Sequence, residues 1–391
     1  MAPLFRADQV GSLIRPQNLL EAYGAEDQAA LQTTIKEAIA TIVKKQLDLS
    51  IRPITSGEYE RTAFYKGFYE QLQGIESRTI QVPEDFRPNL PVIDGLLRVG
   101  VKQTEASVAT GKVEWTRPAY LDAWNMIKAE LPEQEWKNCK IALPSPTFNH
   151  IWLSNGTAYS TNVYANDRDF FADVAAAYRA EIKVLYDAGL RNIQIDDPQL
   201  TYFILDSFKD GIRQENVNPD ELLDTYVWVL NEIVRDRPSD LFVGIHLCRG
   251  NMPGVNTGFL EGSYEKIAEK LLGGLNFDTF YLEFDDARSG SFEPLRFLPR
   301  GKGVTLGLIS TKTPDMEDIA DIQKRVREAA SVIAAAQERS VEEVIEDSLA
   351  ISPQCGFASA HYGRNVGTEE RMWEKLVFVR DAARSIWKDA Q

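Results

Sequence analysis

The sequence predicts an α/β fold with a parallel sheet, a (β/α)8 barrel carrying a β-ribbon insertion after its second strand. Three observations predict it. Short apolar runs alternate with helix-length amphipathic segments, which is the pattern of a parallel sheet. Eight such runs can be counted, the number a closed barrel needs. Several of them end in polar or reactive residues, which a packed strand has no reason to do unless its carboxyl end forms a site.

The eight runs are Pro3–Ala7, Arg52–Gly57, Lys140–Pro144, Asn192–Asp196, Leu241–His246, Thr279–Phe284, Gly303–Ile309 and Leu349–Ser352. Between them the spacing predicts helices over Asp169–Asp187, Asp318–Gln337 and Thr368–Trp387. In the first of these, Phe170, Phe171, Val174, Ala177, Tyr178, Ile182 and Leu185 recur at helical intervals. Leu90–Arg117 breaks the alternation and reads as a β-hairpin insertion (90–117) with turn-type residues near Thr110-Gly111. The whole chain, 1–391, is therefore expected to be a single barrel domain.

Composition narrows the function. The chain has 391 residues, 44% hydrophobic and 26% charged, which permits a large core. Its 43 basic and 58 acidic side chains give a net charge of -15, which disfavours nucleic acid and anionic membranes as partners. Three cysteines in so long a chain suggest free or metal-bound thiols in a reducing compartment. The first residues show no signal pattern, and no apolar run reaches the roughly 18 residues of a membrane span. A soluble cytoplasmic protein is expected.

The strand ends offer one constellation. His246 and Cys248 stand two apart at the end of a run, so both point to one face. Glu283 sits in the apolar run Phe280-Tyr281-Leu282-Glu283-Phe284, where a carboxylate is costly to bury without a partner or a ligated ion. Cys355 follows the last run between Pro353 and Gly356. Singly, each reads as a buried residue or, for Glu283, a partner of Arg249 or Arg288. Together they offer one nitrogen, one oxygen and two sulfurs, a set that Zn2+ accepts tetrahedrally and that magnesium or calcium does not favour. Cys139 precedes its strand and is expected at the opposite end, inert.

With these motifs in view, the chain resembles the cobalamin-independent methionine synthase family, specifically its C-terminal catalytic barrel half and the short single-barrel relatives. The match runs from about residue 5 to about residue 385 and rests on His246-Leu247-Cys248, Glu283, Cys355-Gly356, Val10-Gly11-Ser12, Gly57-Glu58 and Ile195-Asp196-Asp197-Pro198. The resemblance implies zinc on His246, Cys248, Glu283 and Cys355, which would also be the catalytic residues. It implies Ser12 at the carboxylate of homocysteine and Glu58 and Asp196 at its amino group, with Asp197 beside them. Arg249 and Asn251, just after the ligands, are candidate donors to a substrate carboxylate. Two stretches depart from the family on the donor side. Ile309 falls where the family has a histidine, and no tryptophan stands at the matching place after Pro144, although His150 and Trp152 lie just beyond. The expected partners are a homocysteine-like thiol and a methyl or alkyl donor, folate or other.

Competing readings are a zinc hydrolase or lyase using Asp285 or Asp286 as base, a metal-free decarboxylase-like enzyme on the same barrel, and a non-catalytic zinc- or thiol-binding protein. His361 is a candidate proton donor near the mouth.

Overall fold

The computed structural model describes residues 3–98, 100–251 and 260–390. Two antiparallel strands come first, β1 (Leu72–Gln81) and β2 (Gln103–Trp115). Six parallel strands follow: β3 (Ile141–Pro144), β4 (Asn192–Asp196), β5 (Phe242–Leu247), β6 (Thr279–Glu283), β7 (Gly303–Ile309) and β8 (Leu349–Pro353). They are hydrogen-bonded in sequence order, as successive βαβ units require. Every residue of β3, β4, β6, β7 and β8 is buried, the signature of a sheet covered on both faces.

Two of the eight expected strands are not ladders. Pro3–Ala7 makes one bridge, Ala7 to Ile351, and Arg52–Gly57 makes one, Ile54 to Cys139. These segments lie along β8 and β3 respectively. Beyond the first segment, the Leu13 N–H donates to the Gly57 carbonyl at 3.0 Å. Pro53 has no N–H to donate, and the chain turns at Gly57 and Glu58 with φ of 67° and 58°, so the second segment cannot extend its pairing. Among the described residues the regular sheet has six strands, and a closed eight-stranded ladder is not formed.

The insertion also differs from expectation. Val92–Arg98 is a helix, and the ribbon pairs β1 with β2, with Ser77 opposite Ser107. The turn-type residues Thr110-Gly111 lie inside β2. A run of small and β-branched residues satisfies a strand as well as a turn when a partner strand lies beside it. The ribbon is fastened to the body by Glu181. This buried carboxylate accepts from Trp115 Nε1 at 2.9 Å and from the Ala119 and Tyr120 N–H groups at 3.0 and 2.9 Å.

The three expected helices form as Asp167–Asp187, Ile319–Gln337 and Glu369–Ile386. Each opens on a side-chain cap: Asn166, Asp318 and Thr368 accept backbone N–H groups of the first turn. No helix among the described residues is long and apolar enough to cross a membrane.

Inside the sheet lies a polar network. Lys140 Nζ donates to Asp8 Oδ1 at 2.6 Å and Gln194 Oε1 at 2.7 Å, and Tyr281 OH donates to Asp8 Oδ2 at 2.7 Å. Gln194 Nε2 then donates to Asp196 Oδ1 at 2.7 Å, so the network reaches the carboxyl end of β4.

Candidate metal centre

Ligands of open parallel sheets gather at the strands' carboxyl ends. His246 and Cys248 stand at the end of β5, Glu283 is the last residue of β6, and Cys355 lies two residues past β8. One ligand atom from each of the four lies within 4.8 Å of the others, and all four residues are buried. The two sulfurs are 3.5 Å apart, too far for a disulfide. His246 Nε2 is 3.7 Å from Glu283 Oε1.

The residues fit a metal ion. Glu283 Oε1 accepts the Arg249 N–H at 3.0 Å, while its Oε2 is buried with no partner among the described residues. Leaving a carboxylate oxygen so is costly unless a cation meets it. The other ring nitrogen of His246, Nδ1, lies 3.3 Å from Asp196 Oδ1, the carboxylate contact that orients a ligating imidazole. The Gly250 N–H donates to Cys248 Sγ at 3.3 Å. One nitrogen, one oxygen and two sulfurs match the preferences of Zn2+.

The electrostatics are those of tightly coupled groups. Burial alone lowers the His246 pKa, but contacts with Asp196 and Glu283 raise it to about 10. The hydrogen bond between the thiols pushes Cys355 down and Cys248 up, because one shared proton leaves easily and the second does not.

A cavity of about 190 Å³ opens beside His246, Cys248 and Cys355. Ser12, Glu58, Asp196 and Asn251, all expected near substrate, are in its wall. Glu58 is held by Arg61 at 2.9 Å, and its Oε2 is buried without a partner. Burial pushes its carboxyl up against the pull of Arg61. Ser12 packs on the Cys355 turn so closely that a Cβ on Gly356 would fall 1.9 Å from Ser12 Oγ. Asn251 Nδ2 ties the same turn, donating to the Gly356 carbonyl at 2.9 Å.

Two expected substrate residues are placed elsewhere. Asp197 is fully buried and occupied. It accepts from the Gln199 and Leu200 N–H groups at 3.0 and 2.8 Å, from Thr147 Oγ1 at 3.2 Å and from Ser145 Oγ. Neighbours on a strand point to opposite faces, so Asp196 in the cavity puts Asp197 outside it. Arg249 likewise alternates with Cys248. Its guanidinium stacks 4.9 Å from the Tyr264 ring and donates to the Gly262 and Arg288 carbonyls, at 3.1 Å for the latter. Asp285 and Asp286 pair with Lys312 at 2.8 and 3.0 Å and are not in the cavity wall, so the base expected of a hydrolase is not supplied there. His361 Nδ1 lies 3.1 Å from the Thr62 carbonyl, also outside that wall. Cys139 is buried at the amino end of β3, and burial pushes its thiol up to about 12.

Sequence reasoning missed an aromatic wall. Phe64, Tyr65, Phe148, Trp152 and Tyr202 line the cavity. Tyr65 stacks on Phe148 at 4.3 Å, and Phe148 lies 4.7 Å from Trp152. The four-residue spacing of Phe148 and Trp152, one helical turn, was a legible signal. His150 faces away, bonded to Tyr226 OH at 2.8 Å and Asp167 at 3.0 Å. Ile309 is buried in β7.

Fold and site define a parallel α/β protein with a sulfur-rich metal-type cluster at its strand ends. The family described as "Cobalamin-independent synthase, Catalytic domain" matches residues 161–374. The chain belongs to the cobalamin-independent methionine synthase family. It is 34% identical to the uncharacterized protein YxjH of Bacillus subtilis, covering 98% of this chain and 95% of that one. It is 23% identical to a methionine synthase of Saccharolobus solfataricus, over 91% of this chain and 89% of that one. A putative vitamin-B12-independent methionine synthase from Listeria monocytogenes superposes with a TM-score of 0.70 at 27% identity, covering 99% of each chain.

Proposed function

We propose that this protein is a zinc-dependent methyltransferase of the methionine-synthase type, transferring a methyl group to the thiol of homocysteine or a close analogue. One observation carries the reading. The sulfur-rich cluster of His246, Cys248, Glu283 and Cys355 opens, through His246, Cys248 and Cys355, onto a cavity lined by two buried carboxylates, Glu58 and Asp196. A metal-seeking thiol with an ammonium group nearby suits both features at once.

Bound to those four residues, zinc would supply a substrate thiol already deprotonated at neutral pH. The chain's own residues supply the rest. Asp196 orients the His246 ring through Nδ1, leaving Nε2 for the cluster. Glu58 Oε2 and Asp196 receive the amino group, and Ser12 stands where the carboxylate end would lie. The aromatic wall excludes water from the electrophile, so that the thiol sulfur forms the new bond to carbon while the donor leaves with the old bond's electron pair. The donor is a folate or another methyl donor, and Ile309 in place of the family's histidine removes one proton-transfer group from that side. A cytoplasmic location accords with this reading.

Metal content of the purified protein tests it, beside Cys248→Ser and Cys355→Ser and with labelled methyl transfer from methyltetrahydrofolate and methylcobalamin to homocysteine. Near-stoichiometric zinc, lost in both variants, with label reaching homocysteine is the expected result. A folded parent that takes up no zinc would sink the reading. Zinc without transfer to any thiol would favour a binding protein instead.

A further inference from the structure

The mechanism above leaves the carboxamide of Gln199 unused. Gln199 is fully buried and lines the cavity, yet neither Oε1 nor Nε2 has a hydrogen-bond partner among the described residues. It follows Asp196-Asp197-Pro198, just beyond β4. Its own N–H is satisfied by Asp197 at 3.0 Å, so the backbone is anchored and only the carboxamide is left over. A buried amide with both atoms unmade is expensive to keep. The other orphaned oxygens beside the cavity, on Glu283 and Glu58, are answered by a cation each in the reading above. A carboxamide offers one acceptor and two donors, and its complement is another neutral amide edge.

We propose that Gln199 receives a neutral carboxamide- or lactam-type edge of the alkyl donor, whose flat body lies along Phe148, Trp152 and Tyr202. This rests on the two-substrate transfer proposed above, since the acceptor thiol brings an ammonium and a carboxylate rather than an amide. Charge agrees with it. Among the described wall residues no lysine or arginine is available to an anion, and Glu58 and Asp196 repel one. Arg61 is committed to Glu58 at 2.9 Å, and Lys66, over the Tyr65 ring, is paired with Glu70 at 3.2 Å.

The test uses nicotinamide and nicotinate, flat rings of one shape differing in amide against carboxylate, titrated by ligand-observed NMR into the zinc-loaded protein and its Gln199→Leu variant. The expected result is tighter binding of nicotinamide than of nicotinate in the parent, with nicotinamide affinity falling at least tenfold in the variant while nicotinate stays weak in both, because a site built to hydrogen-bond a group loses that group's affinity when its partner is removed. The ligand-free variant should melt no lower than the parent, since an unmade amide has been removed. Equal affinity for the two probes, no binding of either, or nicotinamide affinity unchanged in Gln199→Leu would overturn the proposal. A variant that melts well below the parent would make Gln199 structural and overturn it as well. Zinc content is read on the same samples, so failure of the metal reading is seen separately.

Discussion

Gly307→Ala is expected to disturb the metal cluster from a position that supplies none of its ligands. Gly307 pairs with Glu283 of β6 on one side and Ser352 of β8 on the other, just before a register shift in the β7–β8 ladder. A Cβ there would lie 2.6 Å from Gln354 Cα and 3.1 Å from the Leu282 carbonyl oxygen. Carbon atoms pack at about 3.5–4.0 Å, so one strand must retreat by about 1 Å. Both obstacles are backbone, and no rotamer change relieves them. Gln354 precedes Cys355, and its carbonyl lies 3.2 Å from His246 Nε2, so the retreat moves a ligand and its neighbour together. Overpacking of this kind costs about 1–3 kcal/mol. Displacing a group that orients the ligands typically lowers metal affinity by about 10–100-fold. Urea unfolding of the metal-free protein measures the first, and competition with a zinc-binding dye measures the second. Parent-like stability together with parent-like zinc affinity would refute the argument.

Three further outcomes are expected. Glu181→Leu strands the Trp115, Ala119 and Tyr120 donors at about 1–3 kcal/mol each; unfolding should show a loss of about 3 kcal/mol or more, with the ribbon's amides exchanging first. Asp167 loses ground to burial, but its bonds from His150 and Tyr159 hold its carboxyl at about 2 against an ordinary 3.8. Its contribution is therefore complete above pH about 4 and is lost as pH falls through about 2. Asp167→Asn should cost about 1–2 kcal/mol at pH 6, discounted for partial exposure, and flatten the acid limb of a stability–pH curve. Cys139, with its thiol raised to about 12, should resist iodoacetamide at pH 8 until the chain unfolds, as peptide mass mapping would show.

By itself the sequence determined the parallel α/β class, six of the strands, the three long helices and the four metal-type residues. Period and alternation are local properties, and His246, Cys248, Glu283 and Cys355 were legible because each interrupts an apolar run at its carboxyl end. Ser12, Glu58 and Asp196 were legible through the motifs they share with the family. What needed tertiary structure was everything that depends on a partner distant in the chain. Leu72–Gln81 could not be matched to Gln103–Trp115 from composition, because β propensity is realised only against a neighbouring strand. The first two expected strands make one bridge each; in the second, Pro53 lacks a donor and the chain turns at Gly57, so pairing cannot continue. Asp197 and Arg249 looked like site residues beside Asp196 and Cys248, yet strand alternation sends them to the other face, away from the cavity, where buried donors and carbonyls hold them. The aromatic wall and the unmatched amide of Gln199 belong to segments far apart in sequence, and only packing brings them to the metal-type cluster.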